Sequence, residues 1–220
     1  MSTTDRFEEQ SSGARLGILM LETRFPRIPG DTGNPATWPF PVLYRIVRGA
    51  SAERAVLQDA RALLPDFIEA ARELVQLGAE AIATSCGFLV LFQRELAAAV
   101  GVPVATSALL QVPWLQSTLP PGRRVGVVTI SASTLTPQHL AAAGAAADTP
   151  LAGVEHGREL YRVLVEGKVD GLDFARAEHD VVEAGRALVA RHPEVGAIVL
   201  ECTNMPPYAA ALQAAVGLPI

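Results

Sequence analysis

The sequence predicts an α/β protein of two pseudo-symmetric lobes, each a parallel sheet flanked by helices. Short apolar strands alternate with longer alanine-rich helical segments along the whole chain, which is the pattern of βαβ units. The strands are almost continuously apolar, as expected for sheets covered on both faces. The chain also repeats itself, because Pro103 follows Cys86 at the same spacing as Pro219 follows Cys202.

The composition bounds the kind of protein. The chain has 220 residues, of which 50% are hydrophobic and 19% are charged, so it can bury a substantial core. The net charge of −5 argues against nucleic acid or an anionic membrane as the main partner. Residues 1–14 are polar and lack the apolar region of a secretory signal. We therefore expect a disordered tail, a cytoplasmic protein and two free thiols.

The first predicted lobe covers residues 15–119 and carries Cys86. A segment rich in Pro and Gly, from Glu22 to about Ser51, follows the first strand. We expect it to be irregular around one short apolar stretch, and long loops in compact domains are usually functional. The periodicity of apolar residues predicts strands at 16–21, 81–84 and 102–106, and helices at 52–77 and 89–100.

The second predicted lobe covers residues 120–220 and carries Cys202. It opens at the turn signal Pro120-Pro121-Gly122. We predict strands at 124–129 and 197–200, and helices at 137–147, 175–191 and 208–216. The chain stops where the first half would enter its last strand, so we expect either a truncated C-terminus or a family that ends differently.

The two cysteines are the strongest functional signal. Each follows an apolar strand and precedes helical sequence, with Gly87 after the first and Pro206-Pro207 soon after the second. Ligands of parallel α/β sheets bind at the carboxyl ends of the strands. The N-terminus of a helix stabilises a thiolate, so we expect both thiols to have a lowered pKa.

Two thiols can catalyse proton transfer without a cofactor. One thiolate removes a proton from one face of a carbon acid and one thiol returns a proton to the other face. Hydroxyl groups and helix N-termini can stabilise the carbanion by polarising its carboxylate. The histidines are scattered and show no ligand spacing, so we predict no metal. The predicted substrate-binding residues are Thr84, Ser85, Gly87, Thr129, Ser131, Thr203, Asn204, Asp31 and Glu22.

The residues around the thiols resemble the aspartate/glutamate racemase superfamily. The resemblance rests on Thr84-Ser85-Cys86 and on Cys202-Thr203-Asn204-Met205-Pro206, which is similar to the family's Cys-Thr-His-x-Pro, and it covers residues 14–220. It implies a cofactor-independent homodimer with two flavodoxin-like lobes and an active site between them. Cys86 and Cys202 would then be the acid/base pair, and the hydroxyl residues would hold a carboxylate.

Departures from the family's pattern bear on the substrate. Gly87 and Phe88 stand where glutamate racemases have Asn and Thr, and Asn204 stands in place of His. These differences argue against glutamate, and Phe88 together with 38–40 would make the pocket more apolar. The superfamily also includes hydantoin racemases, maleate isomerases, arylmalonate decarboxylases and a dimethylsulfoniopropionate lyase.

The sequence alone therefore leaves three candidate functions. The leading hypothesis is a racemase or epimerase that needs no pyridoxal phosphate and acts on a small carboxylate. The second is a lyase that removes the same α proton and then expels a β-leaving group, as from a dimethylsulfoniopropionate-type substrate. The third is a small-anion binding protein without catalysis, in which the cysteines are packing residues.

Overall fold

The computed structural model describes residues 15–58, 60–168 and 171–220. It contains two parallel sheets, each with helices packed against it, which confirms the predicted fold class. The predicted tail at residues 1–14 lies outside the described residues. Within the described ranges, no helix is both long enough and apolar enough to cross a membrane.

The first half forms one sheet in the order β2-β1-β3-β4. The central strand β1 is parallel to β2 on one side and to β3 on the other. Its elements are β1 (Leu16–Leu21), β2 (Val42–Val47), α1 (Ala52–Leu57), α2 (Leu64–Gln76), β3 (Ala81–Thr84), α3 (Gln93–Ala99), β4 (Val104–Ala105) and α4 (Gln111–Thr118), with 3₁₀ turns at Pro35–Thr37, Ala60–Leu63, Gly87–Phe92 and Ala108–Leu110.

The second half forms a sheet in the order β6-β5-β7, with β5 in the central place that β1 has in the first. All its pairings are parallel. Its elements are β5 (Arg124–Thr129), α5 (Pro137–Ala142), β6 (Leu151–Gly153), α6 (Leu160–Leu164), α7 (Phe174–Arg191), β7 (Val195–Leu200) and α8 (Ala209–Val216), with a 3₁₀ turn at Pro206–Tyr208.

Some predicted elements have different bounds in the structure. The segment expected to be irregular contains strand β2, and β6 was not predicted. The helix predicted over 52–77 is divided into α1, a 3₁₀ turn and α2, because Pro65 occupies the first turn of α2, and a proline disfavours helical geometry in the residue before it. The helix predicted over 137–147 ends at Ala142, two residues before Gly144 takes a positive φ of 74°.

The predicted repeat is present in the backbone hydrogen bonds. Ile82 N donates to Pro103 O over 2.8 Å, and Ile198 N donates to Pro219 O over 2.9 Å. These four residues occupy matching places in the two halves, so the sequence repeat corresponds to a structural one. It places both cysteines at the carboxyl ends of equivalent strands, β3 and β7.

Both central strands lie close to their covering helix at a glycine. A Cβ on Gly17 of β1 would lie 3.1 Å from Leu74 of α2, and one on Gly126 of β5 would lie 2.8 Å from Leu188 of α7. Contacts this short leave no room for a side chain. The close packing fixes the two strands that border β3 and β7, and thereby the positions of the turns that carry the thiols.

Candidate active site

The two thiols line one small cavity built from both halves of the chain. Its volume is about 30 Å³, which is roughly the volume of one water molecule. Cys86 and Cys202 are each 9% exposed. The lining residues are Leu21, Phe25, Ala52, Val56, Ser85, Cys86, Gly87, Phe88, Ile130, Leu164, Val165, Glu201, Cys202 and Asn204.

Cys86 is the residue before the 3₁₀ turn Gly87–Phe92. Leu89 N donates to the Cys86 carbonyl oxygen over 3.2 Å, and the backbone N–H groups of Phe88 and Leu89 favour the thiolate, as the sequence predicts. Burial outweighs them and raises the pKa of the thiol to about 12, and the nearby Glu201 carboxylate adds to the rise. The expectation of a lowered pKa is therefore wrong for this closed cavity, because the thiol is shielded from water.

Cys202 is also buried near Glu201, and it has an additional polar chain. Burial raises its pKa well above the ordinary value, and the charge of Glu201 raises it further. Its Sγ donates to Asn204 Oδ1 over 3.5 Å, and Asn204 Nδ2 donates to Asp31 Oδ2. Arg27 Nη1 contacts the other Asp31 oxygen at 2.8 Å. The second thiol is thus held at the end of a continuous polar chain.

The loop that follows β1 covers the turn after β7. Thr32 N donates to Thr203 O over 3.2 Å. Gly30 has a φ of +99°, and a Cβ there would lie 3.0 Å from the Pro207 side chain. Asp31 between them is 2% exposed. The predicted long loop therefore brings Asp31, one of the predicted site residues, to Asn204.

The predicted hydroxyl donors divide into two groups. Thr84 Oγ1 donates to Thr106 O and Thr203 Oγ1 donates to Ser85 O, both over 2.7 Å, so these two hydroxyls bind backbone carbonyls. The Ser85 hydroxyl accepts a hydrogen bond from Leu21 N over 3.0 Å and lines the cavity. Its own proton can be donated to a ligand.

Three further predicted residues lie outside the cavity wall. Thr129 Oγ1 donates to Glu201 Oε2 over 2.7 Å, so it holds a group of the cavity. Ser131 Oγ is 3.1 Å from Ser133 Oγ. Glu22 is exposed, and the structure does not bring it to the thiols, because its carboxylate accepts a hydrogen bond from Gly49 N over 2.8 Å.

Glu22 instead lines a larger, open groove between β2 and α2. The volume of this groove is about 770 Å³, and it contains charged side chains of both signs. Neither thiol lines it. We identify the small cavity as the candidate site because it, and not the larger groove, collects the chemically reactive groups.

Glu201 stands next to a thiol in the sequence and is one of the carboxylates expected near the site, but strand alternation leaves the direction of its side chain open, and it is not among the predicted substrate-binding residues. It lies just beyond the last residue of β7, Leu200, so the alternation of a strand no longer directs its side chain. It is 1% exposed, and burial raises its pKa to about 7, against the opposing effect of hydrogen bonds from Thr129 and from Ile130 N. Its position next to a strand-end cysteine was the available signal.

The cavity has an unusual balance of charge. Its wall includes the Glu201 carboxyl group, and no Lys, Arg or His is found among the described residues that line it. The part of the chain that the structure describes has no cluster of three His, Cys, Asp or Glu side chains suited to a metal ion. Two thiols and one carboxyl group can accept and donate protons.

Curated relatives of this chain are dimethylsulfoniopropionate lyases. One from Durusdinium sp. clade D is 27% identical over 94% of this chain and 70% of its own length. Lyase 5 of Emiliania huxleyi is 28% identical over 98% of this chain and 44% of its own length. The chain thus spans about half the length of that relative. No protein-family model matches the chain.

Solved structures of several enzymes share the fold. An arylmalonate decarboxylase variant in a sulfate-associated form has a TM-score of 0.61 at 15% identity, covering 93% of this chain and 86% of that one. A maleate cis-trans isomerase variant from Nocardia farcinica, with a covalently bound succinylcysteine intermediate, has 0.60 at 16%, covering 93% and 85%. Allantoin racemase from Klebsiella pneumoniae has 0.58 at 16%, covering 94% and 81%. The predicted resemblance is thereby confirmed: the chain has the two-lobed fold of the aspartate/glutamate racemase superfamily, and the relatives that it matches in sequence are dimethylsulfoniopropionate lyases.

Proposed function

We propose that this protein is a lyase that cleaves a dimethylsulfoniopropionate-type substrate, a carboxylate with a sulfonium group on its β-carbon. The charge of the thiol cavity carries the proposal. Its wall has an acidic side chain, Glu201, and its described residues supply no cationic one. The sequence relationship to lyases of this type supports the same choice.

A sulfonium substrate complements this charge. The cavity volume of about 30 Å³ is smaller than such a substrate, so the cavity walls must move apart when it binds. A dicarboxylate would bring a second negative charge near Glu201 without a cationic side chain to bind it, which is unfavourable in a closed site of low dielectric. A sulfonium ion carries a positive charge on a group with apolar methyl substituents. The aromatic ring of Phe88 on the wall can attract such a cation, whereas the Phe25 ring already has the Arg27 guanidinium 4.8 Å from its centroid.

The substrate would also promote its own deprotonation. Burial and the charge of Glu201 keep both thiols protonated in the closed site. A cation held within a few ångströms of a thiol favours the thiolate. We therefore expect the base to form on binding of the sulfonium group and not before.

The reaction balances without a cofactor. A thiolate takes the proton from the α-carbon, and the electron pair of that C–H bond becomes the second bond between the α- and β-carbons. The bond from the β-carbon to sulfur breaks, and its electron pair leaves on dimethyl sulfide. Acrylate is the other product. Ser85 and Asn204 present polar donors on the wall, which can bind the carboxylate as negative charge develops on it.

Racemisation or epimerisation is the second candidate. It is favoured by one observation, namely that Cys86 and Cys202 line the same cavity. Inversion needs an acid and a base on opposite faces of the carbon, whereas elimination needs one base. The two activities therefore differ in whether both thiols are required and in whether the substrate has a leaving group.

The test is proton NMR of the protein in D₂O with dimethylsulfoniopropionate, and separately with aspartate, glutamate and hydantoins. We expect acrylate signals and free dimethyl sulfide with the sulfonium compound. We also expect 4-methylpentanoate, an isostere in which an uncharged CH group replaces the sulfonium, to bind at least tenfold more weakly. Deuterium at the α-carbon of another compound without net conversion would favour the racemase. No reaction with any compound would favour the anion-binding protein.

A further inference from the structure

We propose that Glu201 holds the proton that the catalytic thiol gives up, so that thiolate and neutral carboxyl group form together. This rests on the proposed function, in which a thiolate removes the α proton. Beyond the charge that it gives the cavity, Glu201 would act through the thiols, as a positioning residue for the proton.

The two oxygens of Glu201 have different environments. Oε2 accepts a hydrogen bond from Thr129 over 2.7 Å. Oε1 is buried and has no hydrogen-bond partner among the described residues. It lies against Gly87, where an added Cβ would overlap it and would also lie 2.8 Å from the Glu201 Cδ. One oxygen is therefore fixed, and the other is left free beside the residue that follows Cys86.

A buried oxygen without a partner costs free energy, on the order of 1–3 kcal/mol. A proton on Oε1 would remove the charge of this group and would turn the oxygen into a donor. The groups within electrostatic range are the two thiols, with Asp31 and Arg27 further along the polar chain. Arg27 contacts Asp31, so its positive charge is already paired.

The carboxylate and the thiols compete for one proton. The charge of Glu201 raises the pKa of Cys86 and of Cys202, second only to burial as a cause. Two negative charges in one closed cavity are unfavourable, so ionisation of a thiol and protonation of Glu201 favour each other. Burial already raises the pKa of Glu201 to about 7, which suits a group that exchanges a proton near neutral pH.

The transfer is balanced. The thiol S–H bond breaks, its proton passes to Oε1 through a water molecule, because neither thiol is a hydrogen-bond partner of Oε1, and the electron pair remains on sulfur. The thiolate then takes the α proton of the substrate and becomes a thiol again. The carboxyl group releases its proton to solvent when the products leave, which accounts for the one proton that elimination produces.

The decisive variant is Glu201→Gln, which keeps the shape of the side chain but cannot take the proton. We expect its kcat to fall at least about 100-fold. We expect alkylation of the thiols by iodoacetamide at pH 8 to become about fivefold faster, because the repelling charge is gone. The wild-type kcat should fall on acidification below about pH 7, as Glu201 becomes protonated, and this acidic limb should disappear in the variant.

A purely structural role would not give this combination. Slower or unchanged alkylation of Glu201→Gln would overturn the proposal, and so would a kcat within threefold of the wild type. Glu183→Gln, at an exposed glutamate that pairs with Arg186, is the matched control and should change neither quantity. Glu201→Asp keeps a carboxyl group and should retain the acidic limb; its loss there would also overturn the proposal.

The readouts separate this proposal from the proposed function. If the wild type releases no dimethyl sulfide from dimethylsulfoniopropionate, the lyase activity fails, whereas the alkylation rates still report whether Glu201 controls the thiols. If the wild type is active and Glu201→Gln remains equally active, the role of Glu201 fails and the lyase activity stands.

Discussion

The two strand-end turns of this protein have the same backbone but different side chains around the thiol. Ser85 N donates to Leu19 O and Glu201 N donates to Val128 O, both over 2.9 Å, so Ser85 and Glu201 occupy equivalent places. Ser85 accepts a hydrogen bond from Leu21 N, and the matching backbone N–H, that of Ile130, favours the carboxylate form of Glu201. A small neutral hydroxyl in one half is thus replaced by a buried carboxyl group in the other.

This comparison distinguishes the features that both halves share from those that only the second half has. The repeat places one thiol from each half in the wall of a shared cavity. The second half alone carries a titratable group beside its thiol and is contacted by the loop that carries Asp31. The two thiols are therefore chemically unequal although their backbones match, which suits a reaction that needs one base more than one that needs a symmetric pair.

Of the changes that test this difference between the two turns, removing the charge of Glu201 should have the largest effect on the free energy of unfolding. Burial raises its pKa to about 7 from 4.5, so the folded state binds the proton more tightly than the unfolded state. The resulting stability is complete below about pH 4.5 and is lost as the pH rises through 7, a total of about 3 kcal/mol. Glu201→Gln should therefore gain up to this amount over the wild type between pH 4.5 and 8. Urea unfolding across that range would measure it, and a pH-independent difference would contradict it.

A methyl group on the first turn should have a smaller effect, a loss of unfolding free energy. In Gly87→Ala the new Cβ would overlap Glu201 Oε1 and would lie 2.7 Å from the Glu201 carbonyl oxygen, so one turn would push the other aside. We expect a loss of about 2 kcal/mol in unfolding free energy, together with lower turnover. Gly101→Ala, where an added Cβ meets nothing within 4 Å, is the control. Equal stability of the two variants would show that the turns do not touch as described.

Asp31 allows the two thiols to be compared directly. Its charge raises the pKa of Cys202, and Asp31→Asn removes that charge. We expect faster alkylation of Cys202 than in the wild type, with a smaller change at Cys86, and a loss of about 1.5 kcal/mol because Arg27 loses its partner. Peptide mass spectrometry would give both alkylation rates. An equal acceleration of alkylation at the two thiols would contradict the claim that Asp31 acts mainly on Cys202.

The smallest effect concerns the hydrogen bond that joins the two turns. Thr203 Oγ1 donates to Ser85 O over 2.7 Å. Thr203→Val keeps the shape of the side chain and should lose about 1 kcal/mol of unfolding free energy, whereas Thr203→Ser should lose less. Thermal unfolding of the two variants would test this, and an identical loss in both would assign the effect to packing and not to the hydroxyl.

The sequence predicted the central strands well and the edge strands poorly. β1, β3 and β5 have the bounds expected from their apolar runs, because β1 and β5 are buried on both faces and β3 is buried on one face and half-buried on the other. β2 was read as an apolar stretch in an irregular segment, since it includes Arg45 and Ile46, which are both exposed. Its assignment as a strand depends on pairing with β1, which no local pattern contains.

The site was predicted as far as the repeat extends. The matching spacing located both thiols, and the helix-start argument correctly identified the N–H groups near Cys86. It did not predict that the cavity would be closed. Burial raises the pKa of the Cys86 thiol, whereas the helix-start argument predicts a lowered pKa. The contacts of Asp31 with Asn204 and of Glu201 with Thr129 join residues far apart in the sequence, so they could not be derived from spacing.

The most direct test of the central claim is dimethyl sulfide release from dimethylsulfoniopropionate by the wild type, Cys86→Ser and Cys202→Ser, with folding verified by circular dichroism. If one thiolate is the base of an elimination, the wild type releases dimethyl sulfide and one serine variant loses at least about 100-fold in rate, while the other loses less. Release that persists in both variants, or no release from the folded wild type, would contradict the account.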